Sequence, residues 1–316
     1  MTASGEIRSV RSPRLKTARQ LARRSSRQRA RLFLAEGPQA VREALAWRPF
    51  ALGAGSRAGA RAPTSTAASA RASAAPDPPA ASPASGIVGE LFLTAAAMSR
   101  HAELARQAAA RGAAVHLVSG EVMSELAQTV TPQGLLAVCR FVDIGLQHLM
   151  AARPRLVVLL ANVRDPGNAG TVLRTADAAG ADGVIFADAS VDPYNSKCVR
   201  ASAGSLFHLP LVVGCTVGEA ARAIRGAGLR LLAADGNADR ELGELDSDGS
   251  LGTPTAWLFG NEAWGLPAEL LALADEAVAV PIYGRAESLN LAAAAAVCLY
   301  ASVRAQRSSP ARSQPA

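Results

Sequence analysis

Ala161-Asn162-Val163-Arg164-Asp165-Pro166-Gly167-Asn168-Ala169-Gly170-Thr171-Val172-Leu173-Arg174 follows the charge-free run Leu156–Leu160, and the reading of that junction decides the fold. A short, continuous apolar run is the pattern of a strand buried on both faces, the kind found in parallel sheets. Asp165-Pro166-Gly167 ends it, because proline cannot continue a ladder and glycine permits a sharp change of direction. Beyond it Ala169, Val172, Leu173, Ala176 and Ala179 recur at helical spacing, with Asn168 the expected N-cap. Arg174 falls off that apolar stripe and is expected to point away from it. A polar loop at the carboxyl end of a buried strand, feeding a helix, is where open α/β sheets keep their ligands.

Two later stretches have the same character. Trp257-Leu258-Phe259-Gly260-Asn261-Glu262-Ala263-Trp264-Gly265-Leu266-Pro267 reads as a strand running into a turn. Val280-Pro281-Ile282-Tyr283-Gly284-Arg285-Ala286-Glu287-Ser288-Leu289-Asn290-Leu291 reads as a strand end, a loop and the start of an alanine-rich helix. Taken in order, the three stretches resemble the three signature motifs of the SpoU (TrmH-like) family of RNA 2′-O-ribose methyltransferases, within the SPOUT superfamily. The resemblance is close from residue 156 to about 300. It is looser from 14 to 139, where the chain is similar to the family's substrate-binding domain.

That resemblance implies an α/β protein. A mostly parallel sheet with a deep trefoil knot would form the carboxyl-terminal domain, and a small α/β RNA-binding domain would precede it. The knot enters on resemblance alone, since general rules of chain topology argue against knots. Residues 1–142 are assigned to the RNA-binding domain, 143–153 to a linker, 154–307 to the catalytic domain and 308–316 to a disordered tail. The implied reaction moves a methyl group from S-adenosylmethionine to a ribose 2′-hydroxyl, in a homodimer. Arg174, Asn168, Glu262, Ser288 and Asn290 match the catalytic polar residues. Leu258, Phe259, Gly260, Asn261, Ile282, Gly284, Ser288 and Leu289 match the donor pocket. The family proposal makes the arginine a general base, yet a guanidinium is effectively never deprotonated in proteins. The role of Arg174 therefore stays open between base and electrostatic positioning. Taken singly, Arg174 reads equally as a solvated helix arginine, Asn168 or Ser288 as an N-cap, and Glu262 as a residue favouring a helix start.

Charge supports a polyanion partner. Residues 1–48 hold twelve basic and three acidic groups, a local charge of +9 against +7 for the whole chain. A basic segment on a near-neutral body is the electrostatic footprint of a nucleic-acid binder. Lys16 and Lys197 are the chain's only lysines, so part of the arginine bias reflects coding composition. Ser12-Pro13 opens an expected helix to about residue 29, whose Arg14, Lys16, Arg23, Arg24 and Arg27 are assigned to RNA. A solvated charged helix or a transit peptide is the competing reading, and the unbroken run into a strand at 32–34 counts against the latter. Lys197, Arg200 and Ser202, in a stretch resembling the family's loop beside the active site, supply donors suited to phosphate and ribose. Ordinary caps would explain any one of them as well.

The remaining features are mostly exclusions. Residues 51–86 are mostly Ala, Gly, Ser, Pro and Arg, with almost no large apolar side chain, and cannot bury enough surface to offset ordering entropy, so a disordered insertion is expected. Strand–helix alternation from 87 to 138 predicts a small α/β sandwich. No apolar stretch approaches the roughly 20 residues needed to span a bilayer. Cys139, Cys198, Cys215 and Cys298 are scattered, which reads as buried free thiols in a reducing cytoplasm. Nothing has metal-ligand spacing, and no metal is expected. No GxGxxG follows a strand, which disfavours dinucleotide-binding and conventional glycine-loop methyltransferase folds. Ribosomal RNA is the expected substrate, because a separate amino-terminal domain resembles the rRNA-modifying branch; transfer RNA comes next. The alternative is a catalytically silent RNA-binding protein retaining the knotted fold. A hydrolase using Ser288 is disfavoured, because no histidine lies near it in sequence.

Overall fold

In the computed structural model, which describes residues 6–50, 86–127 and 129–308, Leu156–Leu160 forms a strand with all five residues buried. Among the described residues the strands are, in chain order, β1 (Leu32–Glu36), β2 (Val88–Leu93), β3 (Ala114–Leu117), β4 (Leu135–Arg140), β5 (Leu156–Leu160), β6 (Gly183–Ala187), β7 (Leu211–Cys215), β8 (Arg230–Ala234), β9 (Thr255–Phe259) and β10 (Glu276–Val278). The last six make one sheet in the order β10-β8-β9-β5-β6-β7. Every pairing in it is parallel. β5, β6 and β9 are buried throughout, as strands covered on both faces must be.

The order of that sheet positions the site. From β5 the chain steps outward through β6 and β7, then returns to place β9 between β5 and β8. The strand order therefore reverses at the β5/β9 boundary, the kind of place where loops splay apart and leave a crevice. β5 and β9 run in register from Leu156↔Thr255 to Leu160↔Phe259. The Ala161 amide then donates to the Phe259 carbonyl at 2.9 Å, so the first two motifs leave the sheet side by side.

The first four strands form a smaller mixed sheet, β1-β4-β2-β3, antiparallel except for β2/β3. One buried cluster runs from its underside (Phe33, Leu91, Leu135) into the six-stranded sheet's face (Val158, Leu160, Trp257) and the helix Pro166–Ala179. Tyr194 sits at this junction and is buried against Phe33 and Phe141, with ring centroids 4.8 and 3.7 Å away. Its hydroxyl accepts from the Val142 amide at 2.9 Å and donates to Asp143 Oδ1 at 2.8 Å. The two sheets share apolar burial, which a tethered pair of modules would not.

Several expected elements differ. The helix expected over 12–29 is a 3-10 turn, Pro13–Leu15, and two short helices, Lys16–Gln20 and Arg24–Ala30. The break follows from Arg27, whose Nη1 donates at 2.9 Å to the Leu21 and Ala22 carbonyls, at the end of the first of those helices. The stretch assigned as a linker contains the helix Leu146–Ala151, which buries Leu149 against Gly183. A side chain at Gly183 would stand 2.6 Å from Leu149 Cδ1, so the glycine makes room for this packing. The stretch 235–255, whose Gly- and Asp-rich sequence reads as a loop, contains the helix Leu242–Ser247, which buries Leu242 and Leu245. The expected insertion at 51–86 lies outside the described residues apart from residue 86, and the expected tail lies outside them beyond residue 308. Among the described residues no helix is long and apolar enough to cross a membrane.

Candidate active site

At the β5/β9 boundary the three motifs meet in one hydrogen-bonded chain. The Glu262 carboxylate, carried by the turn after β9, accepts from the amides of Arg164 (3.3 Å) and Asp165 (3.2 Å). It also accepts from Asn168 Nδ2 at 3.3 Å. Asn168 Oδ1 in turn accepts from Asn290 Nδ2 at 3.0 Å, and Asn290 Oδ1 accepts from the Ala292 amide at 2.9 Å, capping the helix Leu291–Ser308. One asparagine thus ties the second motif to the third. Placing the Glu262 carboxylate against free amides at the start of the helix Pro166–Ala179 is also favourable for the helix dipole.

The backbone around this chain is shaped by tight turns. Asn162 adopts a left-handed conformation (φ 57°), tolerable for asparagine, and its carbonyl accepts from Asn261 Nδ2 at 2.9 Å. Asn261 and Gly265 exchange backbone hydrogen bonds at 3.0 Å, closing the turn after β9. Gly260 sits under that closure, and a Cβ there would stand 2.6 Å from the Gly265 carbonyl oxygen. Gly260→Ala is therefore expected to cost about 1–3 kcal/mol by overpacking. It should appear as a lower urea midpoint at unchanged m-value; a wild-type midpoint would contradict the reading.

Asp165, not Asn168, is the N-cap of the helix Pro166–Ala179: its Oδ1 accepts from the Asn168 amide at 2.8 Å. Proline at the first helical position fits a cap one residue earlier. Asn168 is thereby freed to bridge the motifs. Lys197 Nζ donates to Asp165 Oδ2 at 2.6 Å, and that bond, with the amide bonds, holds the Asp165 carboxyl below its usual pKa. Arg174 lies two turns further along the exposed side of the helix and makes no hydrogen bond or ion pair among the described residues. Leu258, Phe259, Gly260 and Asn261 are buried at the end of β9, whereas Ile282, Gly284, Ser288 and Leu289 are exposed on the loop before the last helix.

The residues expected to touch RNA fall into two groups. Lys16, Arg23 and Arg24 are exposed, and Arg14 lies in the turn Pro13–Leu15. Lys197 is exposed although paired with Asp165. The assignments of Arg27 and Ser202 need correction. Arg27 is 3% exposed, its Nε and Nη2 donating to Asp192 Oδ2 at 2.9 and 2.6 Å. Ser202 is fully buried and donates to the Val199 carbonyl at 2.8 Å. Arg200 is partly buried and donates to Glu36 at 3.1 Å. These groups hold the structure together and have little to offer a nucleic acid.

Asp165 was discoverable from its Asp-Pro junction; His208, Asp177 and Glu43 carried no local signal. His208 Nδ1 lies 2.8 Å from Asp177 Oδ2 and its Nε2 lies 3.1 Å from Glu43 Oε2. Burial of the ring favours the neutral form, but the two carboxylates outweigh it and hold the pKa above its ordinary 6.5. The charged bridge contributes fully below about pH 6.5 and is lost as pH rises through the higher folded value. Thermal midpoints measured between about pH 6 and pH 9 should therefore fall more in the wild type than in His208→Gln. Parallel profiles would contradict this. Three cysteines are buried free thiols, and Cys215 is half-buried with its pKa pushed up to about 11 by burial. Among the described residues no His, Cys, Asp and Glu cluster could hold a metal.

This arrangement of sheet, strand reversal and motif network is that of a known family of enzymes. Residues 155–300 match the SpoU rRNA Methylase family, and 82–144 match the RNA 2′-O ribose methyltransferase substrate binding family. The chain belongs to the SpoU rRNA methylase family. It is similar to the 23S rRNA (guanosine(2553)-2′-O)-methyltransferase RlmP of Bacillus subtilis, with 36% identity over 192 residues, covering 60% of this chain and 72% of that one. Among solved structures it resembles an AdoMet-bound rRNA methyltransferase from Sinorhizobium meliloti (TM-score 0.73, 29% identity, 95% of this chain and 97% of that one). It also resembles the SpoU methyltransferase AviRb from Streptomyces viridochromogenes in complex with AdoMet (TM-score 0.71, 27% identity, 94% and 100%).

Proposed function

We propose that this chain transfers a methyl group from S-adenosylmethionine to a ribose 2′-hydroxyl of 23S ribosomal RNA. The observation that carries the reading is the Asn168 bridge, which joins Glu262 at 3.3 Å and Asn290 at 3.0 Å and so brings three distant motifs to one crevice. The relatives' names and the matched substrate-binding family support the RNA substrate. On this reading residues 1–142 receive RNA and 154–307 carry the chemistry.

The residues present fit the donor. Gly260 leaves the turn after β9 no thicker than its backbone, and a Cβ at Gly284 would enter open space, so the second loop offers bare backbone to a ligand. Ile282 and Leu289, 37% and 40% exposed on that loop, supply apolar surface for a flat base. When bound, the donor supplies an electrophilic methyl group on a sulfonium. Asn168, Glu262 and Asn290 fix the two loops relative to each other. Arg174, a permanent cation on an exposed helix face, holds the RNA phosphate and orients the attacking hydroxyl.

A homodimer in the cytoplasm and a knotted chain path complete the proposal. Exposed Trp264 (63%), Tyr283 (93%), Val297 and Tyr300, on the site loops and the last helix, offer apolar surface to a second copy. The knot is carried over from the family resemblance. The test is incubation with methyl-labelled S-adenosylmethionine and protein-free 23S rRNA, with tRNA in parallel. Label should enter the 23S rRNA. Donor binding by titration calorimetry with no incorporation into either RNA would reject the reading.

A further inference from the structure

Segment 192–208 is gripped from both sides. The amino-terminal domain holds it at three points: Arg27 on Asp192 at 2.6 Å, Glu36 on Arg200 at 3.1 Å, and Glu43 on His208 at 3.1 Å. The same segment holds the helix Pro166–Ala179 at three points along its length. Lys197 bonds the cap residue Asp165 at 2.6 Å. Gly170 admits the backbone of the helix Ser196–Ala201 so closely that a Cβ there would lie 2.5 Å from the Cys198 carbonyl oxygen. His208 bonds Asp177, in the last turn, at 2.8 Å. Cap, middle and end of the helix that carries Asn168 and Arg174 are thus fixed, through one continuous stretch, to the domain assigned to RNA.

His208 spans the whole gap by itself. Its two ring nitrogens face carboxylates from different domains, Glu43 on the helix Pro38–Ala46 and Asp177 on the helix Pro166–Ala179. Gly204 supports the contact, since its left-handed backbone (φ 101°) lets Glu43 lie against it where a Cβ would stand 2.7 Å from Glu43 Cγ. We infer that His208 is a positioning residue for methyl transfer, which sets the helix bearing Arg174 relative to the domain that receives RNA. Displacing a catalytic group by about 1 Å costs as much as a hundredfold in rate. The loss of one of three grips should cost less.

The inference rests on the methyltransferase reading and is tested in the full chain. His208→Ala should lower kcat about five- to tenfold. Its KM for 23S rRNA and its donor Kd should stay within about twofold of wild type. The two carboxylates left behind, Glu43 and Asp177, keep 20% and 29% of their side-chain exposure, so neither is stranded in the interior and the fold is retained. His208→Lys, whose ammonium can bond both carboxylates, should restore most of the turnover. In donor-free protein, hydrogen exchange at amides 174–180 should rise in the alanine variant and not in the lysine variant. Unchanged kcat and exchange in His208→Ala, or a loss confined to KM for RNA, would overturn the inference. The exchange measurement needs neither donor nor RNA, so a wild-type chain that transfers no methyl group would fail the proposed activity alone.

Discussion

Arg174→Ala is expected to abolish methyl transfer, lowering turnover by at least about a hundredfold while leaving fold and donor affinity intact. The expectation combines two facts. Arg174 is exposed on the helix that also carries Asn168, which bridges the motifs, and among the described residues it has no bond whose loss would destabilise the protein. On the proposed function its partner is an RNA phosphate. Arg174→Lys should recover little, because an ammonium cannot reproduce the two-pronged guanidinium contact. Single-turnover rates with saturating donor and rRNA decide the matter. Turnover near wild type in Arg174→Ala would remove it from the mechanism.

The second large effect is on stability. Arg27→Ala should cost about 3–5 kcal/mol, because it strands the buried Asp192 carboxylate. It also leaves the Leu21 and Ala22 carbonyls without their donor. Arg27→Lys should be only partly better, since one ammonium cannot reproduce bonds made by three guanidinium nitrogens. Urea unfolding measures the loss. If Arg27 instead contacted RNA, the alanine variant would keep its stability and show a shallower salt dependence of RNA binding.

These two arginines show what was legible in the sequence and what was not. β5 and β9 were readable because strands buried on both faces are continuous apolar runs, and the turns after them were readable because Asp-Pro-Gly and Gly-Asn-Glu interrupt those runs. The company of Asn168, Glu262 and Asn290 was readable from motif order, although which atoms bond was not. Arg174 and Arg27 look alike in one dimension, each an arginine near the polar side of a helix. What separates them is Asp192, which lies 165 residues from Arg27 and reaches it only in the folded chain. Arginines are rarely buried, so the default reading places both in solvent. The helix break near Leu21 has the same root, because the guanidinium that bonds the Leu21 and Ala22 carbonyls is itself held by Asp192. Asp165 and Asn168 were both plausible caps, and the choice between them was made by Lys197 and Glu262 from other elements. Ser202 was misplaced for a related reason: a serine at the end of a short helix shows nothing locally of the close packing against Gly170.

Mass-spectrometric mapping of 2′-O-methyl groups in ribosomal RNA from cells with and without the gene tests the central claim most directly. A single ribose in 23S rRNA should lose its methyl group when the gene is removed and regain it when the wild-type gene, but not the Arg174→Ala variant, is restored. Identical ribose methylation in both strains, or a difference on a base instead of a ribose, would contradict the account.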